Sequence, residues 1–149
     1  MKIALKYGLI VTAGVVLWTL IGHNVTSNHG FVTNAGAIIF NILHFTCIFL
    51  GIKALEREQN QKPSFKEGLK QGISISFIYA VTAALYFVLV LFLIGTKWLA
   101  GEARPDAPMW IVALQAFAGL TVLSMLLGLV YSTLISFVVA RRLSQEDEP

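Results

Sequence analysis

The sequence predicts an all-α membrane protein, a four-transmembrane-helix bundle with both termini in the cytoplasm. The first observation is composition: 56% of the 149 residues are hydrophobic and only 13% are charged, whereas about a quarter of the residues in soluble domains are charged. The second is that the apolar residues gather into four blocks, at about 4–22, 33–52, 73–96 and 109–140. Each block approaches or exceeds the ~20 residues with which a helix crosses a bilayer.

Helices are the structure expected for these blocks. Every backbone amide in lipid needs an internal partner, and the blocks lack the alternation that is typical of barrel strands. The first block follows Lys2 and Lys6, as a signal peptide would, but it is long and no clear small-x-small cleavage site follows it. We therefore expect the first block to be retained as a true span.

Basic residues predict the orientation of the spans. Two of them, Lys97 and Arg104, lie on one side of the predicted membrane. The other side carries nine: Lys2, Lys6, Lys53, Arg57, Lys62, Lys66, Lys70, Arg141 and Arg142. Because basic residues that flank spans stay in the cytoplasm, both termini and the 53–70 loop should be cytoplasmic. The tryptophans support the same orientation. Indole rings settle among lipid headgroups, and the span ends assigned to the outer side carry Trp18, Trp98 and Trp110.

The charged segment KALEREQNQKPSFKEGLK, residues 53–70, separates the second and third spans. The second helix is expected to continue through Arg57 and to break before Pro63. Ser64 and Glu67 fit a capping box, so the third helix should begin in water near residue 65. The segment is either a hairpin anchored by basic residues against anionic headgroups or a docking site for a cytoplasmic partner. The hairpin is favoured, because this topology requires such charges.

Small residues recur at every fourth position in the last two spans. The third span carries Gly68, Gly72, Ser76, Ala80 and Ala84, and the fourth carries Ser124, Gly128, Ser132 and Ser136. Helices in lipid associate through close backbone approach at such ridges. Both ridges lie in the cytoplasmic halves of their spans, which predicts that the third and fourth helices cross tightly there. The alternative is that one ridge faces outward and binds a second copy or a partner subunit.

Short internal similarities indicate a weak parallel two-plus-two repeat. Residues 5–12 resemble residues 69–76, and residues 52–55 resemble residues 140–143. The first and third spans run in the same direction, which is the relation expected of a parallel repeat. The matches consist of common membrane residues, so chance similarity is the alternative.

The candidate intramembrane polar site is built around His44, near the middle of the second span. Asn41 lies one turn before it, and Asn34 shares the same helical face. Potential partners on other spans are Gln115, Thr12, Tyr79 and Tyr86. The site is either a substrate or proton site, or an interhelical hydrogen bond that fixes packing. The second interpretation is favoured, because a lone histidine has no carboxylate to tune it and such bonds are common in membranes.

Other chemistry is not indicated. His23 and His29 lie six residues apart without a nearby cysteine or acid, which makes a poor metal site. The chain has no glycine-rich phosphate loop, Ser-His-Asp set, paired carboxylates or zinc spacing. We therefore expect no catalytic residue, cofactor, metal or nucleic-acid partner. Residues 1–143 are expected to form a single membrane domain, and residues 144–149 a disordered acidic tail.

Several segments together resemble the domain-of-unknown-function 4199 family: the Lys-led first span, Gly51-Ile52-Lys53, the run SFKEGLKQG at 64–72, and Arg141-Arg142. The resemblance covers nearly the whole chain. It implies a small bacterial inner-membrane protein with four spans and no assigned activity, and it brings no catalytic residues to transfer. It also argues against glycosylation of Asn24, although Asn24-Val25-Thr26 fits the acceptor pattern. Members of the family often carry a longer segment between the third and fourth helices than residues 97–109 here.

The functional expectation is a non-enzymatic integral membrane protein. It would be an accessory or scaffold subunit that lies in the lipid bilayer and associates with itself or with another membrane protein. The alternative is a small permease or channel-like protein with a polar path near Asn41 and His44. A membrane enzyme is less favoured, since the usual catalytic sets are missing.

Overall fold

The computed structural model describes the backbone of residues 1–25, 29–94 and 108–146, and the side chains of 1–21, 35–93 and 108–141. These residues form four helices and no strand: α1 Lys2–Val25, α2 His29–Gln59, α3 Phe65–Ile94 and α4 Met109–Glu146. Each helix contains a stretch that is long and apolar enough to cross a membrane. The prediction of an all-helical protein with four helices long and apolar enough to span a membrane is confirmed for the described residues. The orientation of the termini remains a prediction.

The helices extend beyond the apolar blocks from which they were predicted. The 38 residues of α4 measure about 57 Å at 1.5 Å per residue, nearly twice the ~30 Å thickness of the hydrocarbon core. Helix α4 continues to Glu146, three residues into the segment predicted as a disordered tail. Residues 95–107, with Trp98 and both basic residues assigned to the outer side, lie outside the described residues, as do residues 147–149.

The turn between α2 and α3 forms at the predicted position. Helix α2 ends at Gln59, and Asn60 follows with a positive φ of 52°, a conformation that asparagine tolerates better than most residues. The Ser64 N–H donates to Glu67 Oε2 at 2.9 Å, and the Glu67 N–H donates to Ser64 Oγ at 3.4 Å. The predicted capping box is therefore confirmed, and it sets the start of α3 at Phe65.

Ser64→Ala is expected to lower the free energy of unfolding by about 1 kcal/mol, the usual cost of losing an N-cap side chain. The substitution leaves the Glu67 N–H without its side-chain acceptor. Thermal unfolding of the detergent-solubilised protein measures the loss. Ser74→Ala is the matched control, because the Ser74 hydroxyl donates only to the Lys70 carbonyl on its own helix, at 2.8 Å. Equal losses in both variants would contradict a capping role.

Helix α3 is central to the bundle. It packs most extensively on α4 and also contacts α1 and α2, while α2 contacts α1 and α4. Thr12 and Thr19 on α1 pair with Thr82 and Tyr86 on α3, so these two helices run in the same direction. Helices α3 and α4 run in opposite directions, as the facing pairs described below show. A parallel two-plus-two repeat requires α1 and α3 to run in the same direction, as they do here. The repeat itself remains a prediction.

The apolar core lies near the end of the bundle that carries both termini. All four helices contribute to it, through Ala4, Ile48, Ile52, Ile75, Ile135 and Val139. Large apolar side chains also cover the outside: Leu93 is 75% exposed and Ile38 is 64% exposed. A soluble monomer rarely carries so continuous an apolar exterior, and lipid is the solvent that suits it.

Candidate functional site

The candidate site is centred on the His44 imidazole, which α2 presents to α3 and α4. His44 is only 2% exposed, and its Nε2 atom lies 3.0 Å from the Ser76 Oγ atom on α3. The imidazole also lies between two phenol rings, with centroids 4.8 Å from Tyr79 and 5.6 Å from Tyr131. We call His44, Ser76, Tyr79, Tyr131 and Asn41 the His44 cluster.

The hydrogen-bond direction between His44 and Ser76 follows from counting hydrogens. The Ser76 hydroxyl donates to the Gly72 carbonyl at 2.9 Å. Because a hydroxyl has only one hydrogen, it then accepts from the imidazole, and His44 Nε2 carries the hydrogen. The imidazole thus donates an interhelical hydrogen bond from α2 to α3.

The Asn41 amide joins α2 to α4. The Tyr131 hydroxyl donates to Asn41 Oδ1 at 2.6 Å, and Asn41 Nδ2 donates to the Ala37 carbonyl at 2.7 Å. Both ends of the amide are therefore paired. The His44 cluster thus ties α2, α3 and α4 together with polar bonds inside an apolar bundle.

Of the four partners suggested for His44, the structure brings only Tyr79 into contact with it. Thr12 and Tyr86 bond across α1 and α3 instead, to Thr82 Oγ1 at 2.6 Å and to Thr19 Oγ1 at 2.7 Å respectively. These two pairs form a separate polar connection, and it does not involve α2 or α4.

Gln115 does not reach the His44 cluster. Its side chain is exposed on α4, thirteen residues before Gly128, whose position is next to the imidazole. At 1.5 Å per residue this separation is about 20 Å. The Asn34 side chain lies outside the described residues. The contacts that the sequence did not assign to His44 are Ser76 and Tyr131, although Ser76 belongs to the predicted small-residue ridge.

The two predicted ridges face each other within one chain, with each of three glycines opposite a serine. A Cβ placed on Gly68 would lie 2.7 Å from Ser136 Oγ, and one on Gly72 would lie 2.6 Å from Ser132 Cβ. The third pair is reversed, with Gly128 on α4 against Ser76 on α3. At the remaining ridge positions, Ala80 and Ala84 are fully buried and Ser124 is half-buried. The backbones of α3 and α4 can approach because these side chains are small.

Gly68→Ala is expected to lower the free energy of unfolding by about 1–3 kcal/mol, the usual cost of overpacking. Its new methyl group would overlap the Ser136 hydroxyl, which has no hydrogen-bond partner within the described part of the chain. Ser136→Gly should therefore recover most of the loss when the two substitutions are combined. Thermal unfolding of both single variants and the double variant measures the coupling. Strictly additive effects would contradict the facing arrangement.

No metal site is evident in the described helices, which contain no group of three or more His, Cys, Asp or Glu residues placed to hold an ion. His23 and His29 have side chains outside the described set. The polar side chains near His44 are hydroxyls, one amide and one imidazole. This set can form hydrogen bonds, and it includes no carboxylate that could act as an acid or base beside the histidine.

The four apolar helices, with their polar contacts turned inward, indicate a membrane protein built as a four-helix bundle. The chain belongs to the family described as protein of unknown function (DUF4199), whose model matches residues 6–101. The matched region contains nearly all of α1 and the whole of α2 and α3, including His44 and Ser76, and α4 lies outside it. Neither the curated proteins nor the solved structures include a significant match to the chain.

Proposed function

We propose that this protein is a non-enzymatic membrane subunit of the bacterial inner membrane. It acts as an accessory or scaffold protein, associates with itself or another membrane protein, and keeps both termini in the cytoplasm. The observation that supports this proposal is the closure of the His44 cluster. Its imidazole, amide and hydroxyl groups bond to one another across α2, α3 and α4, which is what a fixed packing element needs.

The alternative function is a small permease or channel-like protein with a polar path past Asn41 and His44. Such a path would have to admit water or solute to the imidazole. His44 is 2% exposed, and both ends of the Asn41 amide are bonded. Transport would therefore require the cluster to open and lose these hydrogen bonds, whereas a scaffold keeps them.

Association of the subunit needs a surface other than the two ridges, because the ridges pack on each other. We place it on the outer half of α4, where Gln115 is exposed among apolar neighbours such as Leu114, 61% exposed. No described atom lies within 4 Å of a Cβ placed on Gly119, one turn further along. An amide both donates and accepts, so Gln115 can pair with its own copy across a twofold axis. Gly119 would allow the close approach.

The proposal is tested by purification in mild detergent, with the mass of the complex and its subunits determined. We expect a homo-oligomer or a stoichiometric partner. If the complex is a homo-oligomer, Gln115→Leu and Gly119→Leu should each dissociate it and leave the fold of the monomer intact, since Gln115 is exposed and the space beside Gly119 is open. Loss of the oligomer lowers thermal stability by mass action, so the variants are compared with the wild-type monomer. A wild-type monomer without a partner would overturn the proposal.

Solute flux in proteoliposomes that disappears in a folded His44 variant would support the permease.

The orientation can be tested with an impermeant thiol reagent on intact cells. The sole cysteine, Cys47, is 3% exposed and should give little background. Gln61→Cys, in the exposed turn between α2 and α3, should react only after the membrane is permeabilised. Labelling of Gln61→Cys in intact cells would contradict the cytoplasmic assignment.

A further inference from the structure

A small groove lies between α2 and α4, at the end of the bundle that carries the termini. Its volume is about 90 Å³, and it is lined by Phe49, Lys53, Glu56, Lys62, Val138 and Val139. Most of the lining surface is apolar, and the charged side chains of Lys53, Glu56 and Lys62 contribute the small polar part. None of these residues takes part in the His44 cluster or in the ridges.

The apolar and charged parts of the groove are arranged along the direction of the membrane normal. Phe49 and Val138, which are 39% and 54% exposed, belong to the apolar exterior of the bundle. Lys53 lies one turn, about 6 Å, beyond Phe49 on α2, and Lys62 lies in the turn after that helix. The apolar wall therefore borders lipid chains, and the lysines lie at the level expected for headgroups.

We propose that this groove binds the headgroup of an anionic phospholipid. The phosphate oxygens would accept hydrogen bonds from the ammonium groups of Lys53 and Lys62, while an acyl chain packs along Phe49 and Val138. The groove is small, which suits a phosphate better than a larger soluble substrate. This inference goes beyond the proposed function and does not depend on it.

The Glu56 carboxylate in the groove is expected to weaken the binding of an anionic lipid, whereas the two lysines strengthen it. Glu56 Oε2 lies 3.0 Å from Lys53 Nζ, so it holds the ammonium in the groove and also repels an incoming phosphate. An ammonium has three hydrogens, and one bond to Glu56 leaves others for a ligand. Removing the negative charge should therefore strengthen lipid binding. A site that recognised a cationic partner would respond in the reverse direction.

The experiment uses the purified full chain in a neutral detergent, with phosphatidylglycerol or phosphatidylcholine added and bound lipids counted by native mass spectrometry. We expect one saturable phosphatidylglycerol per chain. The double variant Lys53→Gln/Lys62→Gln should lose about thirtyfold in affinity, at roughly fivefold for each cation near a headgroup. Lys66→Gln/Lys70→Gln removes two lysines outside the groove and should lose much less affinity. Glu56→Gln should bind more tightly than the wild type.

Three results would overturn the proposal. Equal losses in the two double variants would mean diffuse attraction of the whole basic surface. Equal binding of phosphatidylcholine would mean that the lysines do not recognise the headgroup charge. Inorganic phosphate that binds as tightly as phosphatidylglycerol would assign the groove to a free anion. Unchanged thermal unfolding of each variant in phosphatidylcholine shows that the chain is still folded, so a loss of binding then reports on the groove itself.

Discussion

We expect Gly128→Leu to lower the free energy of unfolding of the monomer by about 3 kcal/mol or more, at the upper end of overpacking costs. A Cβ at this position already overlaps the Ser76 side chain and lies 3.4 Å from His44 Cε1. The three further carbons of leucine would have to push α3 away from α4 or displace the imidazole. Thermal unfolding of the detergent-solubilised protein measures the effect.

Gly119→Leu on the same helix is the matched control. The two substitutions are chemically identical, and each replaces a flexible helical glycine. In water, that replacement stabilises a helix by roughly 0.5–1 kcal/mol. No described atom lies within 4 Å of a Cβ on Gly119, so the monomer of this variant should unfold at the temperature of the wild-type monomer or slightly above. If Gly128→Leu instead changed only the oligomer size, α3 and α4 would not be holding each other through these residues.

The Gly–Ser pairing explains why α3 and α4 make the most extensive contact in the bundle. Lipid gives helices little hydrophobic reason to associate, so contact energy depends on how closely the backbones approach. Each glycine leaves room for one serine, and the Ser76 and Ser132 hydroxyls donate to carbonyls on their own helices, those of Gly72 and Gly128. Ser76 and Ser132 can therefore enter the interface without leaving their hydrogens unpaired, whereas the Ser136 hydroxyl has no partner within the described part of the chain.

The features that were predictable from the sequence are those encoded by local spacing. The hydrophobic blocks give the number of helices because the hydrocarbon thickness fixes a minimum length. The start of α3 was predictable because Ser64 and Glu67 satisfy free backbone donors within one turn. The end of α4 was harder to predict from hydropathy, because hydropathy marks where the lipid ends and not where the helix ends. A helix can continue into water, as α4 does to Glu146.

The partners of His44 were harder to predict because they depend on helix rotation as well as depth. Each residue turns the helix by about 100°, so two polar residues at similar depth can face opposite sides. Gln115 illustrates the part of this difficulty that comes from depth, since about 20 Å of α4 separates it from Gly128, which lies next to the imidazole. Ser76 was assigned to the ridge by its spacing, and nothing local indicated that the same hydroxyl also accepts from His44.

His44→Ala is expected to lower the free energy of unfolding by about 3 kcal/mol, comparable to other truncations of large buried side chains. The loss has two parts: the space left between the Tyr79 and Tyr131 rings, and the hydrogen bond to Ser76. Interhelical hydrogen bonds in membranes contribute about 0.6 kcal/mol on average and about 1.7 at most. Packing should therefore account for the larger part.

His44→Phe separates the two contributions, because phenylalanine keeps a ring between the tyrosines and removes the Nε2 donor. We expect it to cost about 0.6–1.7 kcal/mol, similar to Ser76→Ala, which removes the acceptor. A loss in His44→Phe as large as in His44→Ala would mean that the hydrogen bond dominates. The same variant discriminates between the two functions. A scaffold held together by ring packing should keep its partner when His44 becomes phenylalanine, whereas a permease that needs a polar imidazole should lose transport while remaining folded.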